Sequence, residues 1–192
     1  MEIPDIEALF GNLPELETPR LLLRRFSPED AQDVFDYASD PEVARNVTWE
    51  PHSGVEASRG FIEYTLRSYS ERRTIELAVV LKETGRVIGS CGFVKWSPEN
   101  ARTEIGYAMS RKYWGKGLMT EAVAALMDYA FGSMKVHRLE ARCLHDNAGS
   151  EKVMIKNGMK CEGTMRDCVF EKGRFKTLKV YSILEGEYRV RE

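Results

Sequence analysis

Two glycines and a lysine in the run Trp114-Gly115-Lys116-Gly117-Leu118-Met119-Thr120 are the residues of this chain best suited to holding a ligand. Glycine has no Cβ, so the backbone at Gly115 and Gly117 can come close to a bound group. A helix starting just after them leaves its first N–H groups without intrahelical partners, and those groups together with the helix dipole favour an anion. Lys116 adds positive charge, and phosphate is the natural anion. The same glycines also suit a plain tight turn between a strand and a helix, and local sequence alone leaves both readings open. Two familiar phosphate loops do not fit. A P-loop needs Ser or Thr after its Gly-Lys, whereas Lys116 is followed by Gly117. The dinucleotide fingerprint needs Gly or Ala where Thr120 stands, and an apolar strand where Arg111-Lys112-Tyr113-Trp114 stands.

The elements that must position this loop follow from periodicity. Residues 20 to 26 read as a strand, and Ser27-Pro28-Glu29-Asp30 as a helix start with a capping serine, a proline and first-turn acids. The helix carries Ala31, Val34, Phe35 and Ala38 on one face and stops before Pro41. A second amphipathic helix runs from Gly54 to about Arg72. Strands Ile75 to Leu81, Val87 to Val94 and Thr103 to Met109 then form an antiparallel meander. After the glycine loop come a long helix to about Phe131, a strand from Arg138 to Leu144, and a short helix from Ala148 to Lys156. That helix stops at Asn157-Gly158, and two closing strands flank a turn at Glu171 to Arg174. Strands in runs with helices inserted and alternating indicate an α/β domain, mixed and α+β-like. Residues 1 to 18, with Pro4 and Pro14, read as a lead-in, and residues 19 to 189 as one domain.

The chain has 192 residues, 28 Lys plus Arg against 30 Asp plus Glu, and a formal net charge of -2. It lacks the basic excess of a phosphate-tracking nucleic-acid binder. Cys91, Cys143, Cys161 and Cys168 are too far apart for a metal knuckle, and His52, His137 and His145 form no HxxxH pair, so no metal is expected. The few cysteines and the start Met-Glu-Ile-Pro-Asp, which is unlike a signal peptide, point to a cytoplasmic protein with free thiols. No apolar run is long enough to span a membrane.

Four segments taken together resemble a known family. They are Thr18-Pro19-Arg20-Leu21-Leu22-Leu23-Arg24, Glu104-Ile105-Gly106-Tyr107, Trp114-Gly115-Lys116-Gly117 with Thr120-Glu121-Ala122, and Asn147 with Ser150 before Asn157-Gly158-Met159. The pattern is similar to the GCN5-related N-acetyltransferase (GNAT) superfamily. More narrowly it resembles the branch that acetylates the N-terminal alanine or serine amines of ribosomal proteins. The likeness covers nearly all of residues 18 to 188. It implies a GNAT-type fold with two splayed parallel strands, here 103–109 and 138–144, and acetyl-CoA as acetyl donor. The pyrophosphate would rest on the N–H groups of Gly115, Lys116, Gly117, Leu118, Met119 and Thr120. The backbone of Tyr107, Ala108 and Met109 and the side chain of Asn147 would hold the pantetheine arm. Arg111, Lys112 and Lys116 could reach the phosphates, though surface solvation explains them equally well. A homodimer is expected at the level of the family only.

The sequence departs from the broader family pattern at Trp114, where Arg or Gln is usual, and at Met119, where Gly or Ala is usual. A tyrosine that often protonates the departing thiolate would fall at Met154. Transfer to an amine requires that a base remove a proton. Glu104 is the candidate, because strand alternation makes it the one charge on a face shared with the small residues Gly106 and Ala108. A strand-end glutamate on a wet face is the other reading. Ser150 is the best remaining donor for the thiolate, though Asn147 and Ser150 also suit a helix cap. Glu121 fits the helix dipole, and the methionines at 154 and 159 fit a core. Cys143 admits an acyl-cysteine route, but no histidine is placed to activate it. The leading acceptor is a protein N-terminus. A polyamine, an amino acid or an aminoglycoside, a non-catalytic acetyl-CoA sensor, and a nucleotide-binding regulator are the alternatives.

Overall fold

The computed structural model describes Phe10 and residues 13 to 188. Most of the expected lead-in, and Arg189 at the expected domain end, lie outside the described residues. Pro14 is buried, and Leu16–Glu17 (β1) pairs with Leu21–Arg24 (β2), so the end of the lead-in joins the sheet. Strands Ile75–Leu81 (β3), Arg86–Ser97 (β4) and Arg102–Met109 (β5) form the expected meander. Arg138–Leu144 (β6), Lys160–Glu171 (β7) and Arg174–Leu184 (β8) complete one eight-stranded sheet in the order β1-β2-β3-β4-β5-β6-β8-β7. Neighbours are antiparallel except β5 and β6, which run parallel. The crossover between them is the helix Leu118–Gly132.

Among the elements fully within the described residues, five helices pack on the sheet: Ala31–Ala38 (α1), Pro41–Ala44 (α2), Val55–Ser70 (α3), Leu118–Gly132 (α4) and Ala148–Lys156 (α5). The break expected before Pro41 is real, but the chain turns helical again at once. Asp40 caps the new turn by accepting from Glu42 N at 2.9 Å, with Pro41 at the first helical position. The α4 and α5 side of the sheet holds the larger core, in which Ala122, Val123, Leu126, Met127, Ala130 and Met154 are fully buried. Met159 lies in the same core, as expected of a packing residue. α1 and α3 cover the opposite face over β2, β3 and β4, through Val34, Tyr37, Ile62, Ala78 and Val87.

The meander is irregular where it matters. β4 runs three residues beyond its expected end, because Lys95, Trp96 and Ser97 pair with Glu104, Thr103 and Arg102. These polar residues and Trp96 do not read as a strand on their own. A register shift between Phe93 and Lys95 leaves Val94 as a bulge. Its methyl lies against Gly106, where a Cβ would come within 2.9 Å of Val94 Cγ1. A side chain at 106 would force Val94 to shift.

Candidate active site

β5 and β6 pair from Arg102↔Arg138 to Ile105↔Ala141 and no further. Beyond that point Gly106 to Met109 stay with β4, and Arg142 to Leu144 stay with β8. The two parallel strands therefore splay, and one edge of β5 is left without a neighbouring strand. Backbone N–H and C=O groups on such an edge seek a partner, and an extended amide-bearing ligand supplies one. The expected splay between these strands is present, with Tyr107, Ala108 and Met109 on its β5 side.

The same end of β5 leads into the glycine loop. Gly115 and Gly117 have φ of 74 and 76, the left-handed region that glycine occupies without penalty. Gly117 is the N-cap of α4 and has no side chain to cap with, so no side-chain bond covers the helix start. Leu118 and Met119 bury their side chains in the core and can offer only backbone to a ligand. The loop is held from a distance. The Glu121 carboxylate accepts from Thr18 Oγ1 at 2.6 Å, Arg20 N at 2.9 Å and Arg20 Nε at 2.7 Å, and Arg20 also donates to Lys116 O at 3.1 Å. Burial alone would raise the Glu121 pKa, but the bonds from Thr18 and Arg20 hold it below the usual carboxylate range. Glu121 thus does more than suit the helix dipole. It clamps the N-terminal segment to the loop, a role readable only once residues a hundred positions apart are adjacent.

Two side chains expected at the phosphates, Arg111 and Lys116, are engaged elsewhere, and so is Trp114 of the same loop. Arg111 turns to Asp40 at 3.0 Å, because the capping carboxylate between α1 and α2 lies opposite it. Lys116 places its ammonium 5.1 Å from the centre of the Tyr113 ring. Trp114 donates its indole N–H to Met109 O at 2.7 Å, which closes the loop onto β5 and occupies one lone pair of a carbonyl expected to hold the pantetheine arm. Asn147 caps α5 by accepting from Ser150 N at 3.1 Å. The Ser150 hydroxyl does not cap. It lies 2.8 Å from the Tyr107 hydroxyl, which is also 3.1 Å from Ser150 O. Tyr107, expected to contribute backbone only, therefore spans the splay with its side chain, and burial pushes its phenol above the usual value.

Glu104 sits in a different environment from the one alternation suggests. Gly106 and Ala108 do share its face, but Lys95 Nζ and Arg142 Nε each approach its carboxylate at 3.4 Å. Both come from neighbouring strands, and Glu140, its register partner on β6, is itself bonded to Arg138 at 2.7 Å. The side chain is 12% exposed and faces a cleft of 340 Å³. Lys95, Trp96, Thr103, Glu140 and Arg142 are among the residues lining that cleft. It is lined by the paired part of β5 and β6, Arg102 to Glu104 and Glu140, and by Arg142 just beyond the pairing. Elsewhere the early helices meet the final hairpin and the loop after β6: Lys172 at the hairpin tip donates to Ala44 O at 2.6 Å, and Arg45 pairs with Asp146 at 3.1 Å.

Cys143 is buried on β6 beside the splay, and burial pushes its thiol up to about 11. A thiol so shifted stays protonated near neutrality, which argues against an acyl-cysteine route. Among the described residues there is no group of three or more His, Cys, Asp or Glu that could hold a metal ion, and no helix long and apolar enough to cross a membrane.

Residues 20–160 match the family model described as an acetyltransferase (GNAT) domain. The chain is 38% identical over 173 residues to the uncharacterized N-acetyltransferase p20 of Bacillus licheniformis, covering 90% of this chain and 97% of that one. It is 24% identical over 151 residues to the ribosomal-protein-serine acetyltransferase of Escherichia coli, covering 73% and 82%. A crystal structure of a GNAT-family acetyltransferase from Bacillus anthracis superposes with a TM-score of 0.81 at 30% identity, covering 91% of this chain and 100% of that one.

Proposed function

The chain belongs to the GNAT acetyltransferase family and is an N-acetyltransferase; from that premise we propose that it moves the acetyl group of acetyl-CoA to a protein N-terminal amine by direct attack. The observation that carries the reading is the opening of the β5–β6 splay beside the side-chain-free start of α4. Their chemistry fits the donor. The uncapped N–H groups of Leu118 to Thr120 and the left-handed glycines make an anion cradle, and the free edge of β5 suits an amide-bearing arm. Glu104 takes the proton of the attacking amine, directly or through one water. The C–N bond forms as the C–S bond breaks, and the electron pair leaves on sulfur. The acceptor approaches through the cleft on Glu104, lined by β4, β5 and β6. The domain answering for this extends from residue 19 to 189. The likeness to the Escherichia coli ribosomal-protein-serine acetyltransferase supports a protein N-terminus as acceptor.

The test is thiol release from acetyl-CoA across peptides beginning with Ala or Ser and a panel of small amines. Peptides are expected to outrun polyamines, amino acids and aminoglycosides in kcat/KM. Turnover confined to small amines overturns the acceptor class, and tight acetyl-CoA binding without turnover on any amine makes the chain a sensor. The clamp yields a separate prediction. Glu121→Ala frees Thr18 and Arg20 from the loop and should raise KM for acetyl-CoA roughly tenfold, the worth of about 1.4 kcal/mol, with kcat little changed. Steady-state kinetics with varied acetyl-CoA checks it; an unchanged KM would mean the clamp leaves the cradle unaffected.

A further inference from the structure

The Tyr107 hydroxyl, which reaches from β5 to Ser150 on α5, has no part in the chemistry described above. Ser150 has three polar groups of interest: its N–H is taken by Asn147, its carbonyl lies 3.1 Å from the Tyr107 hydroxyl, and its own hydroxyl lies 2.8 Å from the same oxygen. A phenol has one proton to donate. The shorter contact is to the serine hydroxyl, and a phenol is the better donor of the two. If Tyr107 donates to Ser150 Oγ, the serine proton is released to point elsewhere. The helix start is already capped by Asn147, so that proton is not needed there. Its remaining directions are the Cys143 thiol, with which the Ser150 side chain shares a hydrogen bond, and the gap between β5 and β6. The gap is walled by Tyr107 on one strand and by Cys143, a neighbour of Ser150, on the other.

We propose that Tyr107 is a positioning residue for the leaving group: it donates to Ser150 Oγ and so aims the Ser150 proton at the sulfur that leaves the acetyl carbon. This inference rests on the transfer reading above. When the C–S bond breaks, the electron pair stays on sulfur, and Ser150 holds that charge by a hydrogen bond rather than by giving up its proton. Both hydroxyls keep their protons, and the thiolate takes one from solvent on release. The elevated phenol of Tyr107 agrees with this division, since a phenol that holds its proton tightly can donate a bond without losing it. Ser150 is then the group touching the reacting sulfur, and Tyr107 acts through it.

The experiment compares wild type, Tyr107→Phe, Ser150→Ala and the double variant. Each is assayed with acetyl-CoA and with an acetyl ester of a more acidic aryl thiol, whose sulfur needs little help in leaving. Each single variant is expected to lose about 10–100-fold in kcat with acetyl-CoA, with KM for acetyl-CoA within about twofold of wild type. The double variant should be no slower than the worse single, because the two residues act as one unit. With the aryl thioester the deficit should shrink to about threefold or less. Deficits that multiply in the double variant, that persist with the aryl thioester, or that fall in KM alone overturn the proposal. Thermal unfolding and calorimetric acetyl-CoA binding confirm that each variant folds. Should Tyr107→Phe not fold, Ser150→Ala, which leaves the phenol in place, gives the same reading with the two thioesters. A wild-type chain that binds acetyl-CoA and releases no thiol with any amine overturns the transfer reading itself, and the role of the pair with it.

Discussion

Glu104→Gln is expected to lower kcat/KM for a good amine acceptor by about 10²–10⁴-fold, the usual contribution of a positioned base, while leaving acetyl-CoA binding unchanged. Glutamine keeps the shape of the side chain and removes only its capacity to take a proton. The competing role is visible in the structure, because Lys95 and Arg142 both reach the carboxylate at 3.4 Å and would lose their shared anion. Lys95 is largely exposed, so that pair is worth little, and Arg142 retains Glu140 at 3.9 Å. A purely electrostatic role therefore predicts a small loss of stability and a rate within about threefold of wild type. The base role predicts a large loss of rate that depends on the acceptor. With amines of progressively lower pKa, less proton removal is needed, and the variant should approach wild type. The measurement is kcat/KM for both proteins across such a series at fixed pH. A deficit that is small, or constant across the series, removes Glu104 from the proton path and leaves it as the anion of a charged ladder.

What could be read before folding divides by distance along the chain. The glycine loop and the helix after it were legible because everything that makes them lies within twenty residues: Gly115 and Gly117 for the turn, and a helical stripe from Leu118 onward. The meander was legible from its own turns, but the splay only through resemblance. Nothing in the residues themselves says that β5 and β6 part after Ile105 and Ala141, since the break is set by each strand holding its other neighbour. Contacts across long separations escaped altogether. The Thr18, Arg20 and Glu121 clamp joins residues about a hundred apart, and Tyr107 meets Ser150 across 43. The cations around Glu104 escaped for the same reason: alternation along β5 places Gly106 and Ala108, but the cations come from the tail of β4 and from β6. One signal was present and unused. In the run Ile75-Glu76-Leu77-Ala78-Val79-Val80-Leu81 a single acid interrupts an otherwise apolar strand, and a buried carboxylate needs a reason.

Glu76→Gln is expected to make the folded chain more stable at pH 8 by about 1–3 kcal/mol while changing little at pH 4. Glu76 lies partly buried on the face of β3 covered by α1 and α3, and among the described residues it has no ion-pair partner. The groups near it are the Ser90 hydroxyl on β4, the Tyr37 phenol on α1, the Tyr69 phenol on α3 and the Cys91 thiol, and the Tyr69 hydroxyl donates to the Glu76 carbonyl oxygen. Loss of hydration raises its pKa from 4.5 to about 7, and the Ser90 hydrogen bond offsets only part of that. The sign follows from which state holds the proton. Below pH 4.5 both states hold it, and the group contributes nothing to pH dependence. Between 4.5 and 7 the unfolded chain ionises while the folded chain does not, so stability falls as pH rises through this window. Above 7 the folded chain carries a poorly hydrated carboxylate, and the penalty stays constant at about 3 kcal/mol or less. Glutamine cannot ionise, so the variant avoids this loss. The difference between wild-type and variant unfolding free energies, from urea titrations at several pH values, isolates the one group because every other titration is common to both proteins. A difference that is flat from pH 4 to pH 8 would show that Glu76 ionises as easily in the fold as outside it.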